Sequence, residues 1–261
     1  MTIPIKIALL WHQHQPYYKS GPAYQLPWVY LHATKDYLEM AEHLQANPKM
    51  HVTINLAPSL VEQLEDYING GSDRLIDVLR KQVSSLSSDE RDIVTKYCFH
   101  ANRNQIIAKS KRYTELLHLE HWTYNQDFLD LEVLFLLAWT GQLSKDVEPL
   151  ASLVAQDRNF TEEQKQIVFQ EHDRILRSII ETHTSLAIQG GVELSTSPYY
   201  HPILPLLCDT NSAREAVADI LLPTSTFSYP DDAREQIERA IRSHSDNFGD
   251  MPNGMWPSEG S

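Results

Sequence analysis

Ile5-Lys6-Ile7-Ala8-Leu9-Leu10, leading into Trp11-His12-Gln13-His14-Gln15-Pro16, and then His51-Val52-Thr53-Ile54-Asn55-Leu56, are the stretches on which the fold turns. Lys6 excepted, Ile5 to Leu10 is an apolar run of strand length, the pattern of a strand covered on both faces and therefore parallel. His51 to Leu56 is a second strand candidate, and Asn47-Pro48 ahead of it is a turn signal. Between them, Thr34 to Ala46 sets Tyr37, Leu38, Ala41 and Leu44 at helical spacing. Strand, helix, strand is a βαβ unit, whose crossover is expected to be right-handed. The fold class is therefore expected to be α/β.

Working outward, the period changes after Pro58. Residues 59–189 read as almost wholly helical, a helical insertion between the second and third strands and not a repeat array, because no fixed period recurs. Ser59 is expected to cap a helix carrying Leu60, Leu64 and Ile68, closed by Gly70-Gly71. Thr161 with Gln164 three residues on is a capping-box pattern, and the helix beyond carries Ile167, Val168, Ile175, Leu176, Ile179 and Ile180. Gly190-Gly191 opens a third strand, 192–197, followed by the aromatic loop Pro198-Tyr199-Tyr200-His201-Pro202. Asp231 to Arg242 reads as a helix with Ala233, Ile237 and Ile241 on one side. Beyond it, Met255-Trp256-Pro257-Ser258-Glu259-Gly260-Ser261 looks like a strand running into a functional loop.

Composition narrows the function. The 261 residues hold 22 basic and 35 acidic side chains, so the formal charge is 22 − 35 = −13. That balance argues against a nucleic-acid surface, which needs clustered Lys and Arg. With 42% hydrophobic residues the chain can bury a real core. Cys98 and Cys208 are too few for a disulfide scaffold or a thiolate zinc site, and both are expected to be small core residues. No secretion signal is legible at the N-terminus, and no stretch approaches the ~18 uninterrupted apolar residues of a membrane span. The apolar run around Phe135 to Trp139 is interrupted upstream by Asp130 and Glu132. No membrane partner is expected, and a reducing, cytoplasmic setting is the default.

Three loops carry candidate chemistry. His12 and His14 lie at i and i+2, so an extended backbone aims both at one face, at the end of a parallel strand where barrel active sites are built. One reading has them cap and pack the strand. A second makes them zinc ligands with a further group from Glu193 or His201, which defines a metal-dependent hydrolase using His12, His14 and His201. A third has imidazoles and the aromatic side chains of Tyr199-Tyr200-His201-Pro202 meeting a sugar, as in a glycosidase or a non-catalytic carbohydrate-binding protein. Trp256-Pro257-Ser258-Glu259 suits the same ligand: the indole stacks on a sugar ring while the carboxylate attacks the anomeric carbon.

Taken together and in order, His12-Gln13-His14-Gln15-Pro16, Tyr200-His201-Pro202-Ile203-Leu204-Pro205-Leu206-Leu207 and Gly254-Met255-Trp256-Pro257-Ser258-Glu259-Gly260-Ser261 resemble the first three motifs of glycoside hydrolase family 57. The resemblance covers Lys6 to Ser261, and the second motif is most similar to the amylopullulanase and α-amylase branch. It implies an incomplete (β/α)7 TIM-like barrel, with residues 1–261 the N-terminal portion of one catalytic domain and 59–189 an insertion within it. It implies a retaining glycoside hydrolase acting on α-glucans or maltooligosaccharides. Glu259 becomes the catalytic nucleophile, Trp256 a sugar-stacking wall, and His12, His14 and His201 substrate-binding groups. No cofactor or metal is implied. The family's general-acid aspartate belongs to a fourth motif that no Asp here matches, so these residues are expected to be an inactive part of a longer enzyme. A retaining glycosidase needs two carboxyls ~5–5.5 Å apart, one attacking and one protonating the leaving oxygen.

Overall fold

A computed structural model describes residues 5–225 and 227–260. The chain forms two compact units, one of Met1–Tyr17, Leu44–Glu65 and Ile180–Ser261, the other of Tyr18–His43 and Asp66–Ile179. Ser261, the last residue of the third motif, lies outside the described residues.

The first unit is built on a parallel sheet. Strand β1 is Leu10–Gln13; β2 (Lys19–Ser20) and β3 (Ala23–Tyr24) form a small antiparallel pair in the other unit; β4 is Val52–Leu56 and β5 is Val192–Ser195. The sheet order is β1-β4-β5, every pairing parallel. β4 is the central strand, and Val52, Ile54, Asn55 and Leu56 are all buried, which is why its sequence is nearly continuous in apolar residues. Thr196 adds a single parallel bridge to Met255, where the terminal segment returns to the sheet. The helix Pro230–Phe248 belongs to this unit and extends the expected 231–242 by six residues at its C-terminal end, where Gly249 closes it at φ 87°. Ala233 and Ala240 are buried on its inner face.

Two expectations here need correction. The first strand is not Ile5 to Leu10 but Leu10–Gln13, with Ile5 and Ile7 90% and 81% exposed. A strand exists only as far as its partner runs: β4 starts at Val52 after the turn Asn47–Met50, so pairing opens with Leu10 opposite Thr53 and closes with Gln13 opposite Leu56. The shift carries His12 into the sheet. Ser59 does not cap its helix, which starts one residue earlier at Pro58. Its buried hydroxyl instead donates to the Gln15 carbonyl at 3.3 Å, tying the loop after β1 to this helix.

The second unit is helical. Its largest element after the 27-residue helix Glu162–Ile188, part of which it holds, is Asn125–Ala138, buried on every side from Phe128 onward. An all-apolar surface of this kind belongs to a helix enclosed by others. Asp130 and Glu132 within it are paired: Asp130 accepts from Arg112 Nε at 2.7 Å and from the Phe160 amide at 3.0 Å, and Glu132 meets Lys165 at 2.8 Å with both side chains fully buried. The capping box forms as expected, Gln164 N to Thr161 Oγ1 at 3.2 Å and Thr161 N to Gln164 Oε1 at 3.0 Å. The expected helix after Thr34 starts earlier, at Trp28, and passes through a π turn, Ala33–Tyr37, before Leu38–Gln45. There Thr34 Oγ1 donates to the Trp139 carbonyl at 2.7 Å and Gly141 N to the Thr34 carbonyl at 3.0 Å. A Cβ on Gly141 would sit 2.6 Å from Glu39 Oε2 and 3.0 Å from the Lys35 carbonyl oxygen, so a larger residue there would have to displace the Glu39 carboxylate. Cys98 is buried as expected, but Cys208 is exposed. Among the described residues no helix is long and apolar enough to cross a membrane.

Candidate active site

The sheet's C-terminal end is polar where its middle is apolar. His12 of β1 lies opposite Asn55 of β4, and Asn55 opposite Ser195 of β5. Asn55 is fully buried; its Oδ1 accepts from His12 Nδ1 at 2.5 Å and from Ser197 Oγ at 3.0 Å, while Nδ2 donates to Ser195 Oγ at 3.3 Å. The side-chain oxygen is thus the atom facing His12, so His12 Nδ1 carries a proton and Nε2 is left free of Asn55.

The loop after β5 brings in the next imidazole. His201 N donates to the Pro198 carbonyl at 2.8 Å, and His201 adopts φ 57°, a conformation that His tolerates better than bulky or branched residues. The loop is clamped to its own unit. Tyr199 N and Tyr200 N bond the backbone and side chain of Gln236, Tyr199 OH donates to Glu62 at 2.8 Å, and Arg239 lies 3.9 Å over the Tyr199 ring. Glu62 also accepts from Tyr17 OH at 2.8 Å.

Three rings result in a stack. His14 and His201 have centroids 4.0 Å apart, His12 and His201 4.9 Å, and His12 and His14 5.7 Å. Trp256 joins at 5.9 Å from His12, held by its amide donating to the Thr196 carbonyl at 2.7 Å. Three residues on the chain turns at Glu259, at φ 57°, setting Glu259 Oε1 3.8 Å from His201 Nδ1. Glu259 is 70% exposed in its side chain whereas His201 is 4% exposed, so the carboxylate faces solvent over a ring packed beneath it. Two non-glycine residues in the left-handed region, both in the same cluster, mark backbone constrained for a purpose.

Crowding sets the protonation. Burial first, then the charges of His201 and His12, push His14 down to about 4. His201 is likewise lowered, by burial and then His12, with Glu259 pulling the other way. At neutral pH His14 and His201 are therefore neutral, each with one donor and one acceptor, which matches a hydroxyl better than an anion.

All five residues singled out from the sequence, His12, His14, His201, Trp256 and Glu259, lie in this one cluster. Glu193 does not: it is exposed and sits two register positions before Ser195 on β5. Asn55, Ser195 and Ser197, which orient His12, escaped the sequence reading. The only signal was an amide in an otherwise apolar strand, a residue that a buried strand retains only when it is hydrogen-bonded. Three imidazole nitrogens, one each from His12, His14 and His201, lie within 4.8 Å of one another, close enough to hold a metal ion together.

No curated protein matches the chain. Solved structures resemble it at low identity: a family 57 branching enzyme from Thermococcus kodakaraensis (18% identity, TM-score 0.46, 97% of this chain and 32% of that one), the α-amylase AmyC from Thermotoga maritima (15%, 0.42, 97% and 35%), and a family 57-type branching enzyme from Pyrococcus horikoshii (16%, 0.46, 97% and 34%). The chain spans about a third of their length. The model of the glycosyl hydrolase family 57 matches residues 8–261, a span that takes in both the imidazole strand and the glutamate turn. The chain belongs to glycosyl hydrolase family 57.

Proposed function

We propose that this chain supplies the nucleophile and sugar-binding side of a retaining α-glucan glycoside hydrolase, of the α-amylase or amylopullulanase type. In this reading β1, β4 and β5 are strands of an incomplete (β/α)7 barrel, with 59–189 inserted between the last two. The observation that carries it is the approach of Glu259 to within 3.8 Å of His201, inside a stack with His12, His14 and Trp256. A sugar ring lies on the indole face, while neutral imidazoles exchange hydrogen bonds with its hydroxyls. Glu259 attacks the anomeric carbon as the glycosidic C–O bond breaks, giving a glycosyl ester that water then hydrolyses. The leaving oxygen takes its proton from a general acid to which no residue of this chain is assigned.

A fluoride leaving group departs without protonation, so a 5-fluoro-α-glucosyl fluoride isolates the nucleophile. Incubated with this chain, it is expected to leave one fluoroglucosyl group on the peptide holding Glu259, found by mass spectrometry and missing in Glu259→Gln. Labelling elsewhere, or labelling that survives the substitution, refutes the assignment. Maltooligosaccharide affinity should fall in His14→Ala and persist in Glu259→Gln.

A further inference from the structure

We infer that the three stacked imidazoles also form a binding site for one divalent first-row transition-metal ion, held by Nε2 of His12, one ring nitrogen of His14 and Nε2 of His201. The donor set is the first support. One ring nitrogen each from β1, the residue just past it and the loop after β5 lie within 4.8 Å of one another. On a tetrahedral zinc at about 2.0–2.1 Å, imidazole nitrogens sit ~3.3 Å apart, so any pair needs to close by ~1.5 Å at most. That is within the reach of small side-chain rotations.

The second support is the shell behind the ligands. Metal-bound histidines hand their other ring N–H to an oxygen acceptor, which fixes the tautomer and the aim of the free nitrogen. His12 Nδ1 is already committed to Asn55 Oδ1 at 2.5 Å, leaving Nε2 outward. His201 Nδ1 faces Glu259 Oε1 at 3.8 Å, and the remaining nitrogen, Nε2, is buried without a hydrogen-bond partner among the described residues, on a side chain 4% exposed. A buried ring nitrogen without a hydrogen-bond partner, beside two further imidazoles, is placed to serve as a ligand atom. His12 is exposed, which leaves an entry path. Imidazole donors select zinc, copper, nickel or cobalt over magnesium or calcium.

The ion would occupy the same ring nitrogens proposed to meet sugar hydroxyls, making metal and glucan mutually exclusive. That consequence rests on the proposed function; the binding itself does not. The test therefore contains no glucan. Titrating the untagged chain with CoCl2 is expected to give one equivalent bound, with the intense visible d–d bands of a low-symmetry cobalt site. Affinity should drop at least tenfold in His14→Ala and in His12→Gln, the latter keeping an N–H for Asn55 but losing the ring nitrogen. Thermal melts with and without ZnCl2 separate lost ligands from lost fold. The wild type gains Tm on adding zinc, whereas variants with an unchanged metal-free Tm do not. Binding well below one equivalent, or affinity unchanged in both variants, overturns the site.

Discussion

Removing the Asn55 side chain tests whether the polar layer across the sheet is as constraining as its geometry implies. In Asn55→Ala three groups lose a partner: His12 Nδ1, Ser197 Oγ and Ser195 Oγ. His12 is exposed and recovers a water, so its loss is small. Ser197 and Ser195 are 0% and 5% exposed and recover nothing comparable. Stranding a buried polar group costs about 1–3 kcal/mol, which puts the variant about 2–5 kcal/mol below wild type. Against a total of roughly 5–15 kcal/mol, that is a large fraction. Urea unfolding followed by circular dichroism reads it as a lower midpoint at unchanged slope. A cycle adds specificity: Ser197→Ala should cost less in the Asn55→Ala background than in wild type, with a coupling of about 0.5–1.5 kcal/mol. A loss below about 1 kcal/mol, or zero coupling, would show that the amide is dispensable and that something else aims His12.

Two predictions concern the helical unit. His172 is fully buried, with Nε2 2.8 Å from Thr140 Oγ1 and Nδ1 3.1 Å from Tyr30 OH, and burial lowers it from 6.5 to about 3. The unfolded chain takes up this proton near pH 6.5 and the folded chain refuses it, so stability is full above 6.5 and falls as the pH drops towards 3. At pH 5 the deficit works out at about 2 kcal/mol. Urea midpoints at pH 7 and pH 5 should therefore diverge less in His172→Gln than in wild type, and identical slopes would refute the assignment. Lys165→Met leaves Glu132 buried without its partner and is expected to cost about 3–5 kcal/mol, whereas Lys165→Met with Glu132→Leu recovers most of it. Calorimetric Tm values check this, and a double variant no better than the single one would refute it.

Local pattern was enough wherever a residue's fate depends on its neighbours in the chain. The strand expected within His51 to Leu56 formed at Val52–Leu56, Thr161 and Gln164 closed their capping box, and the helical period of 231–242 produced a helix. Sequence order also put His12 in β1, His14 just past it, His201 in the loop after β5 and Glu259 just past the Met255 bridge, and the resemblance of these segments to three family motifs is why the cluster could be named. Ile5 and Ile7 failed because hydrophobicity states a preference for burial, while the partner strand sets how far pairing runs. Cys208 failed for a similar reason: a small thiol carries no local signal of its side.

By itself, then, the amino-acid order determined the α/β class, the parallel sheet and the identity of the chemical groups, since these follow from periodicity and side-chain type. Tertiary structure alone decided that Asn55 would orient His12, that His201 and Glu259 would both turn through the left-handed region to face each other at 3.8 Å, and that burial, with the neighbouring imidazoles second, would suppress protonation of His14 and His201. Those properties come from distances between residues up to 247 positions apart in the sequence, His12 to Glu259 (259 − 12 = 247), and no local pattern encodes such a distance.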